Sequence, residues 1–357
     1  MAWPWKWTRE AVLIESVEGI ERVEVPVYRA TRGRLFKTAL SSSCRMDCLY
    51  CPFRCGSRIV ARERWEPRRL VEAFLSAYRA GVVSGLFLTS GFYGDPDRVV
   101  DDMLRVVEEL RRRGYRGYVH VRLMPGVSRW YIKEALRLAD RVGLNIEAPS
   151  EAAFSEIAPS KADWRRDIVW RLRRAAGLAG PRGRWRVDTQ LVVGASGESD
   201  EEIIDAMALM KRIGVGVMHF SPYTPIPGTP LAEKRPPTPI RRIRLLYQVW
   251  SLLSRYGFRV WEVKELLGED GMLHAVGDLK EVLASMHPEW FPVDPLDAGY
   301  SELVRVPGIG PRRARLIIEA RREGRLTLYL LRRILGPAWR RASRYLDLSR
   351  LRASRLP

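Results

Sequence analysis

SSSCRMDCLYCPFRCG, residues 41–56, decides how the chain is read, because all four cysteines of the 357 residues fall in it: Cys44, Cys48, Cys51 and Cys55. Thiols this close in sequence make poor disulfide partners, since a disulfide stabilises most by closing a long loop, but they are well placed to share a metal. Spaced C-x3-C-x2-C, Cys44, Cys48 and Cys51 can wrap one face of a [4Fe-4S] cubane and leave one iron open to another ligand. A zinc knuckle with Cys55 as the fourth ligand is the alternative, although zinc sites more often use two separated ligand pairs. Residues 38–42 read as a strand running into this loop, and Tyr50 sets an aromatic ring directly before the third cysteine.

Outward from the loop, strand-like apolar runs at 38–40, 84–89, 117–122, 141–146, 185–193 and 215–221 alternate with helical patterns at 67–80, 97–113, 131–139, 164–176 and 201–213; another helix follows at 240–256. Pro67 and Pro96 suit first helical turns, and Gly81, Gly114 and Gly214 stand just past last ones. Six strand–helix units in series predict a parallel sheet with right-handed crossovers: an α/β fold, a partial (β/α)6 TIM-like barrel two strands short of closure. The expected organisation is an N-terminal extension over 1–36 with a strand at 23–28, the barrel over 37–260, a linker over 261–296, and a small all-α domain over 297–357.

Forty-six per cent hydrophobic residues are ample for a core of enzyme size. No apolar run approaches the ~18 residues of a membrane span, and the N-terminus lacks a basic-then-apolar signal layout. A soluble, cytoplasmic protein is expected, a compartment that also suits exposed thiolates. The net charge of +19 is uneven: residues 301–357 hold 15 Arg against 4 acids, over half of the excess in the last sixth of the chain. A polyanionic partner, nucleic acid first, is the expectation; an arginine-rich composition throughout is the plainer one.

C-x3-C-x2-C with an aromatic residue before the third cysteine, after a first barrel strand, resembles the radical S-adenosylmethionine (SAM) enzymes. The resemblance implies an open iron that chelates SAM, with Tyr50 beside it, and further SAM contacts on the loops after the strands. Thr89-Ser90-Gly91-Phe92 stands where the family has a Gly-Gly-Glu-like stretch; Gly91 keeps its character and Ser90 replaces the first glycine. Asn145 and Glu147, on one face of the fourth strand by alternation, would meet the ribose, and a buried Glu147 calls for a ligand or a cation nearby. Gly194, Gly197 and Glu198 are similar to the family's glycine-rich motif after strand five, where small residues let backbone approach an adenine ring. No catalytic side chain is assigned. His219, on strand six, either faces the cavity or is a core histidine. With three thiols used, a second four-cysteine cluster cannot be built, and Cys55 is left as a plain thiol or a hydrogen-atom donor.

The tail carries a second pattern. Residues 300–320, YSELVRVPGIGPRRARLIIEA, read as helix, hairpin, helix, with Gly308, Ile309 and Gly310 in a turn whose N–H groups face a phosphate and Arg312, Arg313 and Arg315 as counter-charge. This resembles the helix-hairpin-helix module that grips DNA backbone. A degenerate copy follows 28 residues later, aligning Leu303 with Leu331, Gly308 with Gly336 and Ala314 with Ala342, with Ala338 in the place of Gly310. Together the halves resemble a family of DNA modification or repair radical SAM proteins with a C-terminal helix-hairpin-helix region, often linked with a uracil-DNA glycosylase. That implies SAM cleavage by one [4Fe-4S] cluster, an electron donor as partner, and DNA as substrate. A radical SAM enzyme acting on RNA or another substrate, and a zinc-stabilised nucleic-acid-binding protein without chemistry, stay open.

Overall fold

The structure, a computed structural model, describes residues 10–15, 22–30 and 33–353; the rest of the expected extension and residues 354–357 lie outside them. Two compact units are present, Met1–Glu198 with Leu209–Pro239 and Ser199–Ala208 with Ile240–Pro357.

The first unit holds one eight-stranded sheet whose strands lie in sequence order: β1 (Glu10–Glu15), β2 (Arg22–Ala30), β3 (Gly33–Ala39), β4 (Gly85–Thr89), β5 (Tyr118–Arg122), β6 (Arg141–Gly143), β7 (Val187–Val193) and β8 (Val217–Pro222). β1 to β3 pair antiparallel, and β3 to β8 are parallel throughout, so the six expected barrel strands are all there. The N-terminal segment adds two more strands at the β3 edge.

The helices that follow the strands are α1 (Pro67–Arg79), α2 (Pro96–Arg112), α3 (Arg129–Leu138), α4 (Glu151–Ile157), α5 (Trp170–Ala179) and α6 (Asp200–Ile213). Caps fix their starts: Glu66 accepts the Arg69 N–H ahead of Pro67, and Asp95 accepts those of Asp97 and Arg98 ahead of Pro96. Strand residues Phe36, Leu86, Leu88, Val119 and Val121 are completely buried on the outer, helix-facing side of the sheet. Each contributes roughly 1.5–3 kcal/mol of burial. The alternate positions, Lys37, Phe87, His120, Arg122, Asp188 and His219, face the lumen. A helix at 151–157 was not expected. Its seven residues are too few to show a period, and its start is fixed by Ser150 accepting the Ala153 N–H.

The second unit contains α7 (Ile240–Ser251), α8 (Val260–Lys264), α9 (Leu279–Met286), α10 (Tyr300–Arg305), α11 (Pro311–Arg322), α12 (Leu328–Leu335), α13 (Trp339–Ala342) and α14 (Ser349–Ala353). Residues 261–296 are not a free link as expected. Leu279 and Leu283 of α9 are fully buried, and Lys280 donates to the carbonyls of Val304 (2.8 Å) and Ile309 (2.7 Å). Burial holds the Lys280 amine down to about 7, with the Asp278 charge opposing.

Candidate functional site

Backbone hydrogen bonds tie the cysteine loop to the barrel rim. The Leu49 N–H bonds the Ile157 carbonyl (2.8 Å), the Ser160 N–H bonds Asp47 (3.1 Å), and the Arg45 N–H bonds the Phe92 carbonyl (2.8 Å). Cys48 is buried, Cys44 and Cys51 are half-buried, and Cys55 is exposed. Among the described residues no three His, Cys, Asp or Glu side chains, the cysteines included, stand grouped as a metal site. Burial pushes the Cys48 thiol up to about 11 and, with the Cys48 charge beside it, Cys51 up to about 12. A bound cation must supply the charge that deprotonates them.

Glu147 organises the loop after β6. It is 3% exposed and takes a left-handed φ of 58°, the one described residue other than glycine with positive φ. Such a conformation costs of order 1 kcal/mol and persists where surroundings over-determine it. Here the Glu147 N–H bonds the Gln190 carbonyl (3.1 Å), and its own carbonyl receives the Val192 N–H (2.8 Å). The expectation that Asn145 and Glu147 alternate along a strand is corrected: regular pairing stops at Gly143. Thr189 of β7 then replaces the ladder, accepting the Ile146 N–H (3.1 Å) and donating to the Leu144 carbonyl (2.7 Å).

The cation that Glu147 requires is Lys161, in direct contact with its carboxylate. Burial opposes the ammonium, but the Glu147 charge and the Cys48 sulfur more than offset it and raise its pKa. Tyr50 hydrogen-bonds the same carboxylate, and burial followed by the Glu147 charge holds its hydroxyl well above the ordinary range. The third-cysteine aromatic, the strand-four acid and an unforeseen lysine thus form one cluster beside Cys48. In a chain whose basic residues are nearly all arginine, the lysine itself was the signal available.

The remaining expected SAM residues divide by role. Ser90 Oγ and Asn145 Oδ1 are buried without a hydrogen-bond partner. Buried polar atoms are rarely left so, and a polar ligand at this rim is what they lack. Gly91 serves the cysteine loop: its N–H bonds the Ser41 carbonyl (2.6 Å), and a Cβ there would overlap the Ser43 carbonyl. Gly194 and Gly197 have φ of 87° and 72°. Glu198 turns back to receive the N–H groups of Gly194 and Ser196 and the Ser196 hydroxyl, so it braces the glycine turn from within. The orphaned atoms, the glycine turn and the cysteine rim fit residues that would hold a cluster and SAM.

In the second unit Gly308 needs its glycine. Its φ is 87°, and a Cβ would press on Ala338 Cβ (3.2 Å) and Ala342 Cβ (3.5 Å) of the second copy. The two hairpins share one core of Leu303, Val306, Ile309, Ala314, Leu331 and Leu335. Ile309 is fully buried and its N–H is spent on the Val306 carbonyl (2.9 Å), so it supports the turn without contacting a ligand. Gly310 has extended backbone and lies against Tyr256. Arg312 and Arg315 are exposed, whereas Arg313 is half-buried and donates to the Gly308 carbonyl (3.0 Å). A pocket of about 460 Å³ opens beside the turn, lined by Tyr247, Lys280, Gly308, Gly310, Arg313 and Arg341.

No family profile matches the chain. Biotin synthase of Renibacterium salmoninarum is 28% identical over 230 residues, 63% of this chain and 64% of that protein. The [FeFe] hydrogenase maturase subunit HydE of Thermotoga maritima is 25% identical over 196 residues, 55% of this chain and 53% of that one. The hydrogenase maturase HydG of Carboxydothermus hydrogenoformans superposes with a TM-score of 0.51 at 14% identity, covering 72% of this chain and 66% of that one. The chain thus spans between half and two thirds of the length of these relatives. The likeness to HydG bears on the fold alone; with the barrel and the cysteine loop, the two sequence relatives support the radical SAM superfamily, a class of enzymes that carry a [4Fe-4S] cluster and SAM. Within that class, these relatives give no support to a DNA-acting branch. No described helix is long and apolar enough to cross a membrane.

Proposed function

We propose that this chain is a radical SAM enzyme whose substrate is a nucleic acid, DNA in the first place, docked through the paired hairpins. With an external one-electron donor, a cluster and SAM bound at the rim would supply radical hydrogen-atom abstraction from substrate. Cys44, Cys48 and Cys51 hold the cluster. Ser90 and Asn145 meet polar atoms of SAM, and the Glu147–Lys161 pair keeps that rim ordered and electrically balanced. In the second unit Arg312 and Arg315 neutralise phosphates beside the amides of Gly308 and Gly310, which have no backbone partner among the described residues.

The observation that carries the nucleic-acid reading is the hairpin pair itself, the Gly308 turn packed against Ala338 and Ala342 of the second copy in the segment that holds 15 Arg. The test has two arms. Anaerobically reconstituted protein with dithionite and SAM should release 5′-deoxyadenosine. Nucleosides from DNA and RNA of cells with and without the protein should then differ by mass spectrometry in DNA. A difference confined to RNA moves the substrate to RNA; no difference in either removes nucleic acid as the substrate.

A further inference from the structure

At the floor of the lumen, Asp188 of β7 is fully buried and its carboxylate receives three donors. Arg122 Nη1 of β5 lies 2.9 Å from Oδ1, His120 Nε2 of β5 lies 3.2 Å away, and His219 Nε2 of β8 lies 2.9 Å from Oδ2. Gly143 of β6 makes the room, since a Cβ there would overlap both Asp188 Oδ1 and Arg122 Nη1. Burial works against the Asp188 charge, but Arg122 and His120 outweigh it and hold the carboxyl well below the usual range.

An ionised carboxylate only accepts, so both imidazoles must donate Nε2–H to it, and in a neutral ring that leaves Nδ1 as the acceptor. His120 is sealed at 4% exposure, as a purely structural partner would be. The His219 side chain is 36% exposed, and its Nδ1 has no hydrogen-bond partner among the described residues. On the His120 side of the lumen the Phe87 ring stands edge-on to His120 at 4.6 Å, with the Lys37 amine over the Phe87 and Tyr28 rings. Asp188 lies three residues before Leu191, the bridge partner of Glu147, so it stands ~10 Å below the SAM rim at ~3.3 Å per residue, whereas His219 is in register with Gln190, one residue below that bridge.

We propose that His219, held in one tautomer by Asp188, is the substrate-facing acceptor on the wall of the lumen below the rim, and that the substrate presents a ring N–H or an O–H group to it. His219 is the specificity-determining residue and Asp188 its positioning residue. The inference rests on the barrel being the reaction chamber and is independent of what the hairpins bind.

The full-length holoprotein labelled with 15N-histidine tests this, because the chain has only four histidines. At pH 7.5 the long-range 1H–15N spectrum should show His219 with protonated Nε2 and bare Nδ1. Asp188→Asn, which can offer an N–H in place of an acceptor, should move it toward the opposite tautomer. Thymine, a planar ring with N–H donors, is the probe: it should shift His219 Nδ1, and 1,3-dimethylthymine should not. His219→Leu should weaken thymine binding roughly tenfold and His219→Asn, which keeps an acceptor, should restore most of it. A His219 protonated on Nδ1 in the wild type, or an equal response to the two rings, overturns the proposal. If the Leu variant does not fold, the wild-type tautomer and the two-ring comparison still decide. A protein that passes here and fails to bind DNA refutes only the nucleic-acid reading.

Discussion

Lys161→Met is the perturbation that probes the site most directly, because it strips a 3% exposed carboxylate of its ammonium partner. An unpaired buried charge would neutralise before it stays ionised, which caps the cost. Protonating Glu147 at pH 7.5, from an unfolded pKa of about 4.3, takes roughly three units or ~4 kcal/mol, within the ~3–5 kcal/mol expected for breaking a buried pair. At pH 5 the same step takes less than one unit, so the cost falls to ~1 kcal/mol. The sign is that of a carboxyl whose folded pKa is raised: the variant loses stability as pH rises above the unfolded pKa. Hydrogen exchange by mass spectrometry reads it locally, since the amides of Glu147 and Val192 close the bridge to β7. Protection of the peptides around 145–149 and 190–193 should fall by ~4 kcal/mol at pH 7.5 and by far less at pH 5, and Glu147→Gln in the same chain should recover most of it. An equal loss at both pH values would show that Lys161 acts by packing and not by charge.

Replacing Cys44, Cys48 or Cys51 by Ala should abolish iron content and visible absorption, while Cys55→Ala, at an exposed position, should keep both. His120 is held down to about 4 by burial, so the unfolded chain takes its proton first; stability present above pH 6.5 should be lost as pH falls toward 4, by roughly 3 kcal/mol, and His120→Phe should flatten that part of the acid-unfolding curve. In DNA binding followed by anisotropy, Arg312→Ala with Arg315→Ala should lower the slope of log K against log salt by about two units. Arg313→Ala should instead loosen the hairpin, seen as lost protection of the Ile309 amide, which bonds the Val306 carbonyl, with a smaller change of slope.

The barrel was legible because parallel strands covered by helices leave apolar outer faces of fixed period, and the capping Pro67, Pro96 and Asp95 punctuate them. Cys44, Cys48 and Cys51 were legible because their spacing is local, and Gly308 because a left-handed turn selects glycine. Glu147 was found but misplaced on a strand, since nothing local says that Thr189, 42 residues on, would stand in for the ladder. The linker at 261–296 was misread because α9 is held by Lys280 reaching carbonyls that are 24 and 29 residues away.

What the sequence determined by itself is therefore whatever is carried by spacing within one element or loop: the cysteine triad, the strand–helix alternation and the doubled hairpin. Only the tertiary structure decided which charges meet. Lys161 meets Glu147 across a loop, and Arg122, His120 and His219 meet Asp188 across β5, β7 and β8. Of the chain's 61 basic residues only eight are lysine, and Lys37, Lys161 and Lys280 are all enclosed. An ion pair in a low-dielectric interior is set by distance in space, and distance in space follows from strand register and sheet curvature, which no local pattern encodes.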